Sequence, residues 1–298
     1  MRIASHAPSR SAGLRAWVVC LGCGLALFTV MGLGVNAFTV YQPYLLRVHG
    51  FTNAQGSWIT TVRSLFALLS MLTVDRLCRR LGLRNTMVLG MACFVGSYLL
   101  FGFARGFSAY CGGAVLSGLS YGYGGMTPLT LVISRWFPTG RGFALGMAAA
   151  GSGISTIFAP PLITGAIQSL GLSAAFLWEA AAGVLLTLLV FLLVRDFPSS
   201  PKLQSSEGPA PGGRGAGLSR PLLGMVLLSA FLTGGPCGPG FSHLTVLYTS
   251  AGFSSGTAAL LMSYLGLVLI AAKVLYGWIS DRLGSWMANR LIFGVFLA

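Results

Sequence analysis

Long apolar runs, separated by short basic segments, constrain the fold of this chain more than any other feature. Only 8% of the 298 residues are charged, against about 25% in a typical soluble domain. A helix needs about 20 apolar residues to cross a bilayer, so these runs predict an all-α, multi-pass membrane protein. We place the spans at 16–46, 56–76, 85–104, 108–136, 142–169, 173–194, 221–250 and 256–280.

A segment rich in Pro, Gly and Ser at 195–220 separates the sixth span from the seventh. It cannot bury a core, so it is predicted to be a flexible linker. The linker divides the chain into a six-helix half, 1–194, and a second half, 221–298. A ninth apolar run begins near residue 287 and contains only about twelve residues, fewer than a span needs. We therefore expect the second half to be truncated in its ninth helix.

The distribution of positive residues predicts the orientation. Fifteen of the 19 Lys and Arg residues lie in segments on the same side as the N-terminus, and only Arg47 and Arg105 lie in the opposite loops. Because positive residues favour the cytoplasm, we predict a cell-membrane protein whose N-terminus and linker are cytoplasmic. The same distribution explains the net charge of +14 without nucleic acid, since no basic patch interleaves with exposed aromatic residues.

The stretch LIAAKVLYGWISDRL at 269–283 carries a cation, Lys273, inside an apolar span. Placing an ammonium group there costs about 2.5–3.5 kcal/mol on insertion scales. Such a residue normally faces a water-filled cavity or a polar partner. Gly277 and Asp281 follow at intervals of four, so the three residues lie roughly on one helix face. We interpret the stretch as a substrate-facing cation followed by a cytoplasmic gate.

Asp-Arg-Leu occurs at the exits of both the second and the eighth span, 206 residues apart, which indicates an internal repeat. The arginine favours the negative end of its helix. The aspartate can pair with a cation or cap a neighbouring helix in one conformation and lose that partner in another; otherwise these charges only fix orientation. The predicted gating residues are Asp75, Arg76, Arg80, Arg141, Gly277, Asp281 and Arg282.

Gly142, Gly146 and Ala150 form a face of small residues on the fifth span, which Gly151 and Gly153 broaden. Small residues at this spacing let membrane helices approach closely, either in static packing or at a moving interface. Pro160-Pro161 is predicted to kink or end the fifth span. The Gly- and Pro-rich stretch at 234–240 is predicted to interrupt the seventh span, and interrupted helices often mark transport sites.

Several polar residues within the spans are candidates for a binding cavity. Arg63 lies about 18 Å along the helix from Asp75, where it either snorkels to the outer surface or attracts anions. Glu179 is expected to pair locally or to be half-exposed at the interface. Packing or interfacial roles remain open for the aromatic residues, and a structural role for the histidine. The predicted substrate-binding residues are Lys273, Arg63, Asn36, Tyr41, Tyr121, Tyr123 and His243.

The sequence offers no catalytic set, metal cluster or cofactor motif. Cys20 and Cys23 form a lone C-x-x-C inside the first span, so they are interpreted as packing residues. The G-x-G at Gly151 follows no strand, which excludes a nucleotide loop. We therefore predict that the protein is not an enzyme.

The G-x-x-x-D-R pattern at Gly277, Asp281 and Arg282 resembles the loop signature of the major facilitator superfamily, whose members have twelve helices in two six-helix halves. Met71 stands where the first half of that family usually has glycine. The stretch GLSYGYGGMTPLTLVISRWFPTGRGFALGMAAAGSGISTIFAPPL resembles the monocarboxylate transporter and oxalate/formate antiporter branches. In those branches a basic residue eight positions before the loop aspartate holds the substrate carboxylate. Lys273 matches that position, as lysine where arginine is usual.

This resemblance implies a secondary transporter that moves a small organic anion by alternating access and works in the bilayer as a monomer when full length. Proton-linked carriers have an aspartate where this chain has Leu269, which favours exchange or uniport. Two alternatives remain: a facilitator-type exporter of drugs or neutral solutes, and a membrane protein that does not transport. A site that tolerates neutralisation of Lys273 would favour the exporter, and a packed or uncharged cavity would favour the second alternative.

Overall fold

Helices account for the architecture of the computed structural model, which describes residues 10–195 and 220–297. The helices are α1 (Arg10–Leu27), a π-helical segment (Phe28–Ala37), α2 (Phe38–His49), α3 (Asn53–Leu81), α4 (Leu83–Phe103), α5 (Phe107–Gly124), α6 (Met126–Trp136), α7 (Arg141–Leu170), α8 (Leu172–Leu193), α9 (Arg220–Ser250), α10 (Ser255–Leu283) and α11 (Ser285–Leu297). Within these described ranges, six helical spans are long and apolar enough to cross a membrane. The predicted all-α membrane fold is confirmed. The predicted linker lies largely outside the described residues, so the division into halves stays a prediction.

The predicted fourth span, 108–136, consists of two helices rather than one. The break falls at Gly125, whose backbone is extended with φ −87° and ψ −151°. Pro128 follows in the first turn of α6. The backbone N–H groups of a first turn have no carbonyl acceptor within the helix, so the missing N–H of proline costs no hydrogen bond there. The break therefore accommodates a proline that would disrupt a continuous helix.

The first span, Gly13–His49, is continuous for 37 residues but contains the ten-residue π-helical segment. π-Helical turns are rare and often occur at functional sites. Two carbonyls of this segment accept bonds from other helices: Leu33 from the Tyr98 hydroxyl at 3.0 Å and Gly34 from the Arg63 guanidinium at 3.3 Å. These donors stabilise the segment in its irregular form.

The predicted interruption of the seventh span is wrong, and so is the predicted end of the fifth span at Pro160-Pro161; a kink at these prolines stays a prediction. Helix α7 continues through Pro160 and Pro161 to Leu170, and the backbone of α9 stays helical through 234–240. The physical reason is that an open backbone at membrane depth leaves polar groups without water, while helices tolerate Pro and Gly when neighbouring groups satisfy the freed carbonyls. An unwound seventh helix is therefore no part of the site.

Helix α7 packs along α10, and this contact joins the first half of the chain to the second. In the first half, aromatic residues from several helices form an outer core around Phe176, to which Tyr41, Tyr98 and Phe101 contribute. Cys20 and Cys23 are buried and free in a second, inner core. Their burial agrees with the predicted packing role.

Candidate functional site between α7 and α10

The backbones of α7 and α10 touch at glycines. A Cβ atom added at Gly146 would lie 2.6 Å from the carbonyl oxygen of Lys273, and one at Gly153 would lie 2.6 Å from Ile270 Cγ1. Near the N-terminus of α7, Gly142 and Gly277 pack directly on each other. The predicted small-residue face of α7 is thus a helix contact, and the structure identifies α10 as its partner.

The Asp281 carboxylate, near the C-terminus of α10, caps the N-terminus of α7. Its two oxygens accept hydrogen bonds from the backbone N–H groups of Gly142 at 2.8 Å and Phe143 at 2.7 Å. Free N–H groups and the positive end of the helix dipole both favour an anion at this position. The structure therefore places Asp281 as the predicted cap on a neighbouring helix, in contact across the two halves.

We expect Asp281→Ala to loosen this end of the interface by about 1–2 kcal/mol, the usual value of a charged helix cap. Asp75→Ala is the matched control, because the ion-pair partner of Asp75 among the described residues is Arg79 of its own helix and both side chains are about half exposed. Exposed pairs contribute about 0–1 kcal/mol. Thermal unfolding of the purified protein in detergent measures both; equal losses would contradict the assignment of Asp281 as an inter-helix cap.

The other predicted gating residues are exposed or make contacts within their own part of the chain. Arg76 and Arg80 are exposed. The Arg141 Nε donates to the Phe137 carbonyl at 3.1 Å, and the Arg282 guanidinium lies 4.5 Å from the centroid of the Trp278 ring. The partner of Asp75 is Arg79, which the sequence analysis did not select.

Lys273 lies near the middle of the α7–α10 contact. Its ammonium group donates to the Ser152 hydroxyl at 2.5 Å and to the Ala149 carbonyl at 3.4 Å. Among the residues that the structure describes, no carboxylate lies within ion-pair distance of it. The half-buried cation is therefore held by neutral oxygens alone.

A polar strip extends from Lys273 along α7 toward the π-helical segment. The Asn36 amide donates to the Thr156 hydroxyl at 2.8 Å, one turn along α7 from Ser152. The Ser155 hydroxyl, also buried, has no hydrogen-bond partner within the described part of the chain. Asn36 was predicted from the sequence; Ser152, Ser155 and Thr156 were not, because hydroxyls in membrane helices most often bond to their own helix backbone.

The structure places two predicted cavity residues away from this strip. Tyr41 is fully buried, and its ring stacks on Phe176 at 4.1 Å between centroids, so it packs in the aromatic core rather than lining a cavity. Arg63 is 7% exposed and lies over the Phe38 ring, so it does not snorkel to the outer surface. The Phe38 ring provides a cation–π contact and the Gly34 carbonyl accepts a hydrogen bond, so the Arg63 guanidinium has partners inside the bundle.

The remaining predicted residues are dispersed. Tyr121 is half-buried. The Tyr123 hydroxyl bonds to the Thr73 hydroxyl at 3.0 Å near the inner end of α3. His243 on α9 lies 3.4 Å from the Gln42 amide on α2. Thus only Asn36 and Lys273 of the predicted binding residues join the polar strip beside α7.

The fold and the site together define a multi-pass membrane protein in which the glycine-lined pair of α7 and α10 joins the first part of the chain to the second. The family model described as Major Facilitator Superfamily matches residues 23–298. The chain belongs to this family.

Three relatives illustrate the range of substrates. Monocarboxylate transporter 12 of Rattus norvegicus is 24% identical, over 89% of this chain and 60% of its own length. The oxalate:formate antiporter of Oxalobacter formigenes is 28% identical over 54% of this chain and 39% of its own. The aspyridones efflux protein of Emericella nidulans is 29% identical over 57% of this chain and 34% of its own. The chain spans about three-fifths or less of the length of these relatives.

A solved structure supports the fold. The D-xylose-proton symporter matches with a TM-score of 0.62 and 13% sequence identity, over 90% of this chain and 68% of that one. At this identity the match concerns the arrangement of helices alone. It confirms the predicted fold of the major facilitator type.

Proposed function

We propose that the full-length protein is a secondary transporter that moves a small organic anion, a monocarboxylate or dicarboxylate, by alternating access. One observation carries the proposal: the Lys273 ammonium lies inside a membrane span, and its partners among the described residues are neutral oxygens. A cation in this position is costly unless a counter-charge joins it. A substrate carboxylate supplies that charge when it binds.

The hydrogen-bond partners of Lys273 can be replaced by a bound ligand. The Ser152 hydroxyl at 2.5 Å is both donor and acceptor, so it can release the ammonium group and donate to a substrate oxygen. Lysine provides a point charge without the two-pronged geometry of arginine, so the site selects charge more strongly than the planar shape of a carboxylate. The Asn36–Thr156 pair is placed to meet a second polar group of the substrate.

Movement of the site between the two membrane faces needs a gate. Asp281 joins α10 to the N-terminus of α7 in this conformation, and separation of these helices breaks both of its hydrogen bonds. The glycine contacts along the same interface present little side-chain obstruction to sliding. In our proposal the Asp281 cap holds the cytoplasmic side closed and is released when that side opens.

The relatives named for monocarboxylate transport and oxalate:formate exchange support this substrate class. The distribution of positive residues supports a cell-membrane location with a cytoplasmic N-terminus. We further propose that one full-length chain is the working unit.

The aspyridones efflux protein favours a second candidate, export of drugs or neutral solutes. In that case Lys273 would only hold α7 and α10 together through Ser152 and Ala149. The two functions differ in the requirement for charge on the substrate.

Transport assays in vesicles that carry the full-length protein distinguish anion transport from export of drugs or neutral solutes. Uptake of labelled oxalate, formate, lactate and pyruvate is compared with uptake of an uncharged amide of similar size, and each is competed with the unlabelled compound. We expect saturable uptake of at least one acid and none of the amide. Counterflow then separates exchange from uniport. Absence of acid uptake, with active export of hydrophobic dyes, would contradict the anion proposal.

A further inference from the structure

Glu179 is a deeply buried acid that the anion site does not use. It lies on α8, within the aromatic core of the first half, and is 1% exposed. Its Oε2 accepts a hydrogen bond from the Tyr41 hydroxyl at 2.6 Å, while Oε1 has no hydrogen-bond partner among the described residues. From the sequence, Glu179 is expected to be locally paired or half-exposed at the interface; the structure corrects the expected exposure, because the side chain is buried.

Nothing nearby neutralises an ionised carboxylate at this position. No cation within the described ranges forms an ion pair with Glu179. Arg63 is also buried, but it bonds to Gly34 and contacts Phe38 instead. An uncompensated buried charge is strongly unfavourable, whereas the neutral acid needs no counter-charge. The packing around Glu179 therefore fits the protonated side chain.

The groups that face Glu179 cannot supply the missing charge. They are the Tyr41 hydroxyl on α2, which bonds to Glu179, and Tyr98 on α4, whose ring packs against Tyr41 and whose hydroxyl donates to the Leu33 carbonyl. Two further groups are separated from Glu179 by an aromatic ring. Tyr110 on α5 lies against Phe176, and Arg63 on α3 lies against Phe38. The other ionisable groups of the helices packed on α8 make no ion pair with Glu179 either: Arg15, Cys20, Cys23, Arg84, Cys93 and Arg141 among the side chains of α1, α4 and α7 that the structure describes, and Tyr44, Arg47 and His49 on α2. Arg47 is exposed, and His49 lies 3.0 Å from the Tyr110 hydroxyl.

The same turn of α2 that holds Tyr41 also closes the outer side against α9. Thr39 and Gln42 contact the second half there: the Thr245 hydroxyl donates to Thr39 Oγ1 at 3.2 Å, and Gln42 Nε2 lies 3.4 Å from His243 Nδ1. Tyr41 lies between these residues in the sequence and directs its hydroxyl to Glu179. We name these α2–α9 contacts of Thr39, Gln42, His243 and Thr245 the outer contact.

We propose that Glu179 is a proton-binding site, and that its bound proton is required for α2 to close the outer contact. This inference rests on the alternating access of the proposed function. When α2 separates from α9, the Glu179 carboxyl gains access to external water and releases its proton there. When it takes a proton back, α2 can pack on α8 again without burying a charge. Leu269, which stands where proton-linked carriers have an aspartate, is thus no argument against a proton site elsewhere in the chain.

Distances between spin labels across the outer contact test this proposal. Labels are placed on Val48→Cys in α2 and Leu247→Cys in α9, both exposed, in full-length protein whose native cysteines are replaced. For the wild-type acid we expect the long-distance population to rise at least about threefold between acidic and alkaline pH. Glu179→Gln, a neutral side chain of similar shape, should keep the short distance at every pH.

Two further variants protect the test against misfolding and non-specific effects. Glu179→Asp keeps an ionisable carboxyl at this place and should keep the pH response. Asp75→Asn removes a carboxylate at the cytoplasmic side, outside the core, and should also keep it. An undiminished pH response in Glu179→Gln, or no response in the wild type, overturns the proposal.

Uptake of labelled oxalate, formate, lactate and pyruvate by the same preparations separates this proposal from the proposed function. One outcome is that the wild type takes up none of these acids and still shows the pH response that Glu179→Gln lacks. This result would contradict the anion assignment and support the proton site.

Discussion

Replacing Lys273 with glutamine is expected to lower saturable anion uptake by at least about tenfold. A hydrogen bond to a charged group contributes about 1.5–3 kcal/mol, which corresponds to roughly 10- to 150-fold in affinity. Glutamine is one bond shorter than lysine and still offers an N–H donor, but it removes the only charge that the structure places in the polar strip beside α7. The loss should appear at every substrate concentration, because both binding and movement of the anion depend on that charge.

Two variants separate the charge of Lys273 from its packing. Lys273→Arg keeps the positive charge and should retain uptake with an altered preference among acids, since its planar group favours two-pronged contact with a carboxylate. Ser152→Ala removes the hydroxyl partner but leaves the ammonium group, so we expect a weaker effect than that of Lys273→Gln. Uptake in Lys273→Gln equal to that of the wild type, at equal amounts of protein in the membrane, would remove Lys273 from the site.

Gly146→Ala is expected to disrupt the α7–α10 interface. The added Cβ would lie 2.6 Å from the carbonyl oxygen of Lys273, a backbone atom that moves only if the helices separate. Overpacking of this kind costs about 1–3 kcal/mol, more than the roughly 1 kcal/mol that alanine gains over glycine in helix propensity. The same displacement moves Lys273 away from Ser152, so we expect transport to fall together with thermal stability.

Gly165 provides the matched control on the same helix. A Cβ atom there meets nothing within 4 Å, and its backbone does not have a positive φ. Gly165→Ala should therefore leave stability unchanged or raise it slightly, and transport should be unaffected. Fluorescence-detected size-exclusion chromatography after heating compares the two variants. If Gly146→Ala were as stable and active as Gly165→Ala, the close contact between α7 and α10 would be refuted.

The helices were predictable because a bilayer imposes strong rules on length and polarity. The predicted span at 56–76 became α3, Asn53–Leu81, and the span at 256–280 became α10, Ser255–Leu283. The errors occurred where local signals compete with membrane solvation. Pro160-Pro161 and the glycines at 234–240 favour a break in water, but the cost of unsatisfied backbone groups keeps both helices continuous in the apolar interior.

The candidate site was predictable only in part. Lys273 and Asp281 could be selected from the sequence, because a charged residue in or next to an apolar span needs a polar or charged partner. Their partners on α7 do not stand out: Ser152 is one of many hydroxyls, and Gly142 offers only a backbone amide. Lys273 and Ser152 are more than 120 residues apart in the sequence. The periodicity within one helix shows which of its faces is apolar or polar, but it does not show which face of another helix packs against it.

The buried polar groups of the first half were misplaced for the same reason. Arg63 and Glu179 each lie toward the outer end of a span, where exposure to the interface is the ordinary expectation. The aromatic core closes over both of them, since Phe38 lies against Arg63 and Tyr41 against Glu179. Only the assembled helix bundle reveals that these side chains face inward.

Equilibrium binding of small acids to the purified full-length protein tests the central claim most directly, because it does not depend on coupling or direction of transport. Isothermal titration with oxalate, formate, lactate and pyruvate is carried out on the wild type and on Lys273→Gln. We predict saturable binding of at least one acid to the wild type and an affinity at least about tenfold lower for the variant. Equal affinity in the two proteins, or binding of an uncharged amide as tight as that of the acid, would contradict an anion site at Lys273.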